Sequence, residues 1–211
     1  MDKFKITYLL IIFLFNHVFS KNNTEDQVWI GAQTNKSFKK IRFEISGENR
    51  YNINDNILHK SHVEILLTYK HNNMFKFSTG YRYINYDDKF KSRISIDNKS
   101  SILLYEYKLG LRMKLQRNYL NNVESEGIIF RHKFSVNRDI TPSISPYLSI
   151  ESFYIVSSNT FLFEKYRASS GMRFKINNQS TLKLFYCYTI SNNSNNYDIT
   201  NTSGINYEYS F

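Results

Sequence analysis

The sequence predicts an all-β chain, an antiparallel transmembrane β-barrel of about ten strands with short turns at one end and longer loops at the other. Three observations predict it. The first 20 residues read as an export leader, the remainder alternates apolar and polar residues over runs longer than ordinary strands, and the breaks between runs are alternately short and long.

Composition narrows the field first. The chain has 211 residues, a mean hydropathy of −0.48 and 22% charged residues, which is too polar for a bundle of spanning helices. Its 17% aromatic content argues against intrinsic disorder, since such a chain can bury enough surface to order itself. A single cysteine excludes an internal disulfide and a multi-thiolate metal site, and no metal or cofactor is expected. The formal net charge is +10.

Residues 1–20 place Lys3 and Lys5 before the apolar run from Ile6 to Phe15, and then Val18 and Ser20 before a polar stretch. That order is a Sec-type signal peptide, with cleavage expected near Ser20. The apolar run is about half the roughly 20 residues of a spanning helix. Residues 21–37 form an N-terminal segment in which Val28 to Asn35 looks extended. An eleventh strand breaks the even count of an antiparallel barrel, so the barrel is predicted over 38–211.

Within it, Tyr105, Tyr107, Leu109, Leu111, Met113 and Leu115 alternate with Glu106, Lys108, Gly110, Arg112, Lys114 and Gln116. Tyr166, Ala168, Met172 and Phe174 alternate in the same way with Lys165, Arg167, Arg173 and Lys175. Each run has one apolar and one charged face. A two-faced soluble sheet also alternates, but its strands average about 5 or 6 residues, against the 9 to 11 of a tilted strand crossing a bilayer. The predicted strands are 38–51, 61–71, 74–86, 91–103, 106–118, 125–138, 144–156, 163–177, 180–191 and 203–211, with eight and twelve as the alternative even counts. Short turns are expected at 71–74, 104–105, 139–143 and 177–179. The longer loops include an Asn-rich stretch at 191–202.

WIGAQ at 29–33, GYRYINYDD at 80–88, the run FRHKFSVNRDITPSISPYLSIESFY at 130–154, KYRASSGMRFKINNQSTLKLFYCY at 165–188 and the ending YEYSF carry a resemblance. The chain resembles a family of small bacterial outer-membrane β-barrels catalogued as a domain of unknown function, domain of unknown function 2490. The resemblance implies the barrel fold and the Gram-negative outer membrane, and it brings no catalytic or binding residue.

With the apolar parity facing lipid, the charged parity fills a narrow lumen. The lumen charge network expected from parity is Glu44, Glu64, Arg82, Arg93, Glu106, Arg112, Arg131, Glu151, Arg167, Arg173 and Glu208. Buried charges require partners, so one reading is a structural barrel with a charged, largely plugged interior. The other is a narrow anion-preferring pore for small solutes, because basic residues outnumber acidic ones on this face. Enzyme chemistry is not expected, as no nucleophile-elbow or His-Glu-x-x-His motif occurs. His62 falls on the inward parity and His132 on the lipid-facing one, while Cys187 is an inward, isolated thiol. Nucleic acid is discounted because the charges alternate with apolar residues and form no patch. The expected partners are outer-membrane lipid and lipopolysaccharide, the barrel-assembly machinery during biogenesis, and a small anionic solute. An adhesive or surface-binding role for the Asn-rich stretch is a further alternative.

Overall fold

The computed structural model describes residues 24–86, 89–120, 123–124, 127–157, 161–193 and 196–211. The expected leader and its cleavage near Ser20 lie outside the described residues. The strands are β1 (Thr24–Phe38), β2 (Ile41–Asn52), β3 (Ile57–Lys70), β4 (Phe75–Tyr86), β5 (Lys89–Leu104) and β6 (Tyr107–Leu120), the two-residue β7 (Val123–Glu124), then β8 (Ile128–Arg138), β9 (Ile144–Val156), β10 (Phe161–Lys175), β11 (Ser180–Asn193) and β12 (Asn196–Ser210). Apart from β7, a short rung on β6, they make one closed ring in which chain neighbours pair antiparallel and β1 meets β12. Among the described residues closure leaves no long strand with an unpaired edge, the condition for strands in a medium without water.

Among the described residues the ring holds eleven long strands, correcting the expected ten. An odd number of alternating strands leaves the first and last pointing the same way, so the seam is parallel, from Thr24↔Ile199 to Asn35↔Ser210. Among the described residues the barrel therefore includes Thr24–Phe38 and does not start at residue 38. Parity excludes an eleventh strand only if every pairing is antiparallel. The strand itself was disguised by its face, because Trp29, Gln27 and Asn35 are buried in the lumen while Ile30 is half exposed on the outside. Side chains stitch the seam at both ends. Asn35 Nδ2 donates to Glu208 Oε1 and to Ser210 Oγ, each at 3.0 Å, and Asn201 Nδ2 donates to Asp26 Oδ1 at 3.0 Å.

The outer wall is apolar: Ile96 is 63% and Ile150 60% exposed, with Ile65, Leu67, Leu115 and Phe134 around them. Such a band is stable only against hydrocarbon. The turns on the rim where the chain ends are short. They lie at 39–40, 71–74, 105–106, 139–143 and 176–179. Two are built on asparagine: Asn72 Oδ1 accepts from the amides of Met74 and Phe75, and Asn177 Oδ1 from those of Gln179 and Ser180, all at 2.7–2.8 Å.

Two local differences from the predicted register matter. The β5–β6 turn is Tyr105-Glu106, with Tyr105 at φ 54°, one residue later than expected. This takes Glu106 out of the lumen. It lies at the rim, paired with Arg138. At the far rim, β11 and β12 extend to Asn193 and from Asn196, so most of the expected 191–202 loop is paired strand.

Close packing sets the role of one glycine. A Cβ on Gly171 falls 2.4 Å from the Leu184 carbonyl oxygen and 2.8 Å from the Tyr147 ring, whereas one on Gly47 meets nothing nearer than 3.7 Å. Gly171→Ala is expected to destabilise the barrel by about 1–3 kcal/mol and Gly47→Ala by less than about 0.5 kcal/mol. Urea unfolding followed by Trp29 fluorescence measures both.

Candidate functional site: a basic lumen

Period-2 geometry points every second side chain inward, and closing the sheet brings those side chains together. The lumen encloses a cavity of about 400 Å³ lined by twelve Lys or Arg and four Glu side chains. Each of the four carboxylates is ion-paired. Glu64 takes Arg82 at 2.5 Å and Lys114 at 3.4 Å, and Glu48 takes Arg50 at 2.7 Å. Glu151, on β9, accepts Arg131 at 2.7 Å and has Arg167 at 3.9 Å. Glu164 pairs with Lys165 at 2.7 Å. A fifth carboxylate just below the cavity, Asp97, is almost fully buried and holds Arg112.

Of the residues expected in the lumen network, Glu64, Arg82, Arg93, Arg112, Arg131, Glu151 and Arg167 line this cavity. Arg173 lies against the Tyr147 ring at 5.2 Å. Glu44 and Glu208 sit nearer the C-terminal rim, where Arg42 bridges them at 3.2 and 2.9 Å. Glu106 does not belong to the lumen, for the reason given above.

Pairing leaves a surplus. Among the described residues Lys60, Lys91, Arg93, Lys133 and Lys183 line the cavity without a carboxylate at ion-pair distance. Lys60 donates to the Tyr86 hydroxyl at 2.8 Å and Arg93 to Asn118 Oδ1 at 2.7 Å. Aromatic rings supply a weaker neutral counterpart. The Arg50 guanidinium lies 3.6 Å from the Trp29 ring centre and Arg131 lies 4.5 Å from that of Phe153.

The register concentrates the surplus. Cross-strand neighbours on the lumen face include Arg82↔Arg93, Lys114↔Arg131 and Arg173↔Lys183. Lys76↔Lys99, Lys99↔Arg112 and Arg112↔Lys133 form one continuous row across β4, β5, β6 and β8. Like charges directly opposite one another destabilise a sheet. Glu64, Glu151 and Asp97 offset part of this cost, and an anion in the lumen offsets more of it.

Sequence parity missed several members. Lys60, Lys91 and Lys99 lie at strand ends or where the alternation fades, and counting by twos from His62, Arg93 and Asp97 reaches each of them. Glu164 enters through a bulge in the β9–β10 pairing between Phe163 and Lys165, which turns two successive residues inward. Trp29, Phe153 and Phe185 are aromatic residues on the lumen face, against the simple apolar-out rule. His62 is buried with Nδ1 3.8 Å from Glu48 and no hydrogen-bond partner on that nitrogen. His132 faces outward against the Phe130 ring at 4.1 Å. Cys187 Sγ contacts Ser169 Oγ at 3.2 Å.

Comparison with known proteins agrees with the architecture. The family model described as "Protein of unknown function (DUF2490)" matches residues 26–201. No curated protein matches the chain. A bacterial polysaccharide outer-membrane secretin superposes with a TM-score of 0.52 at 8% identity, covering 74% of this chain. The chain spans 60% of that protein's length. The NanC porin superposes at 0.50 with 11% identity, covering 77% of this chain and 86% of the porin. The KdgM porin gives 0.50 with 9% identity, covering 74% and 81%. At these identities the likeness shows an outer-membrane barrel fold of the porin kind, and no more.

Proposed function

As a member of the DUF2490 family of proteins of unknown function, the chain inherits a fold without an activity, and we propose that it is a narrow outer-membrane passage preferring small anionic solutes. The observation that carries this reading is the cavity of about 400 Å³ walled by twelve basic and four acidic side chains. A surplus that no carboxylate balances lowers the energy of an anion entering the lumen and raises that of a cation. The short turns and Phe211 belong on the periplasmic side and the opposite rim faces out, following export by the expected leader. Outer-membrane lipid and lipopolysaccharide are its surroundings, and the barrel-assembly machinery is its partner in biogenesis. The role proposed is non-catalytic.

A second reading has its own support. The Arg82–Glu64–Lys114 and Arg131–Glu151–Arg167 clusters tie six strands together across the middle of the lumen. They favour a rigid, largely plugged barrel with a structural role. Planar-bilayer recording of the refolded mature chain decides between the two. Steady steps with a reversal potential displaced toward the chloride equilibrium value support the passage. A folded, heat-modifiable barrel that stays silent rejects it in favour of the plug.

A further inference from the structure

The row Lys76, Lys99, Arg112 and Lys133 carries one basic side chain on each of four strands adjacent in the sheet, all in direct register and all on the lumen face. We propose that this row is a binding track for an extended anion bearing three or more charges. The proposal rests on the anion-passage reading and adds a ligand class to it.

Neighbouring strands are about 4.8 Å apart, so the four positions span about 14 Å along the wall. A compact monovalent anion satisfies one step of such a row. A linear molecule with charges repeating every few ångströms satisfies several at once, and linked contacts multiply in affinity. The direction of the row suits transit. Strands in a closed barrel tilt by about 35–45° from its axis, so a row perpendicular to them climbs the wall obliquely instead of circling it. Lys76 stands at the start of β4 beside the C-terminal rim, and Arg112 and Lys133 line the cavity. The row thus leads from the mouth into the cavity.

The charges are also unevenly neutralised. Arg112 is held by Asp97, whereas Lys76, Lys99 and Lys133 have no carboxylate at ion-pair distance among the described residues. Above Lys133 the register continues to Glu151, which Arg131 and Arg167 already hold. Asp97 flanks the track at Arg112, and the track ends on a second internal carboxylate, Glu151.

The test uses the refolded mature chain in planar bilayers with orthophosphate, pyrophosphate and tripolyphosphate as blockers, at matched ionic strength. Tripolyphosphate is expected to half-block the current at a concentration roughly tenfold below orthophosphate, with pyrophosphate between them. In K99Q/K133Q, or in K76Q/K99Q should the first pair misfold, the dependence on length is expected to collapse. Tetraglutamate tests a carboxylate ligand. Block by tetraglutamate matching that by tripolyphosphate assigns the track to charge spacing alone, and block by phosphates only narrows it to phosphate chains. An anion-selective pore blocked equally by all three phosphates overturns the track and leaves the passage standing. In a silent barrel, calorimetric titration with tripolyphosphate in detergent micelles takes over. Binding lost in K99Q/K133Q keeps the track without the passage, and no binding overturns both.

Discussion

Replacing Glu151 with alanine is expected to destabilise the barrel by about 3–5 kcal/mol, the largest single effect of any lumen substitution. Glu151 has a 6% exposed side chain, and Arg131 beside it is 12% exposed. Arg131 donates to it from both Nε and Nη2, at 3.2 and 2.7 Å, while Arg167 approaches from β10 and Lys133 is its direct neighbour on β8. Removing the carboxylate leaves Arg131, Arg167 and Lys133 facing one another without the charge that holds them together. The double variant Glu151→Leu with Arg131→Met takes away both the charge and its partner, and is expected to recover much of the loss, because the desolvation of the pair disappears with it. Equilibrium urea unfolding of the native, single and double variants checks this. Equal stability of Glu151→Ala and the native barrel would sink the idea that the mid-lumen carboxylate organises the charge network.

The second large effect concerns selectivity. The triple charge reversal K60E/K91E/R93E is expected to lower the anion-to-cation permeability ratio by about tenfold, bringing it close to unity. These three residues sit together toward the rim opposite the chain end, and none has a carboxylate at ion-pair distance among the described residues. Their reversal takes the cavity from twelve basic and four acidic side chains to nine and seven. The like-charge pair Arg82↔Arg93 becomes an opposite-charge pair at the same time, which offsets the hydrogen bonds lost from Lys60 to Tyr86 and from Arg93 to Asn118. Reversal potentials in a salt gradient report the ratio directly. A ratio that does not move, in a folded and conducting variant, rejects the lumen surplus as the source of selectivity.

Much of the barrel was legible in the residues because lipid and lumen impose opposite demands on successive side chains. Arg112, Lys114, Arg131 and Lys133 alternate with Met113, Leu115, His132 and Phe134, and the structure keeps that division, with His132 packed on the lipid side against Phe130. Charge in hydrocarbon is too costly for the pattern to be reversed. What escaped was whatever depends on a neighbour far along the chain. Trp29 reads only as part of an extended segment outside the predicted barrel until Arg50 on β2 and Arg167 on β10 are found near its ring, at 3.6 and 5.1 Å. Glu106 reads as a lumen acid until the turn at Tyr105-Glu106 moves it to the rim.

The sequence by itself determined the class of the molecule, the inward and outward faces of most strands and the sign of the lumen charge. These follow from alternation and composition, which are local quantities. Only the tertiary structure decided the strand number, the parallel seam between β1 and β12, and the alignment of Lys76, Lys99, Arg112 and Lys133 into one row. The physical reason is that register between strands is a property of pairs. A shift of two residues preserves every side chain's face while changing every cross-strand neighbour, so the chain's own periodicity carries no record of which cations stand opposite one another.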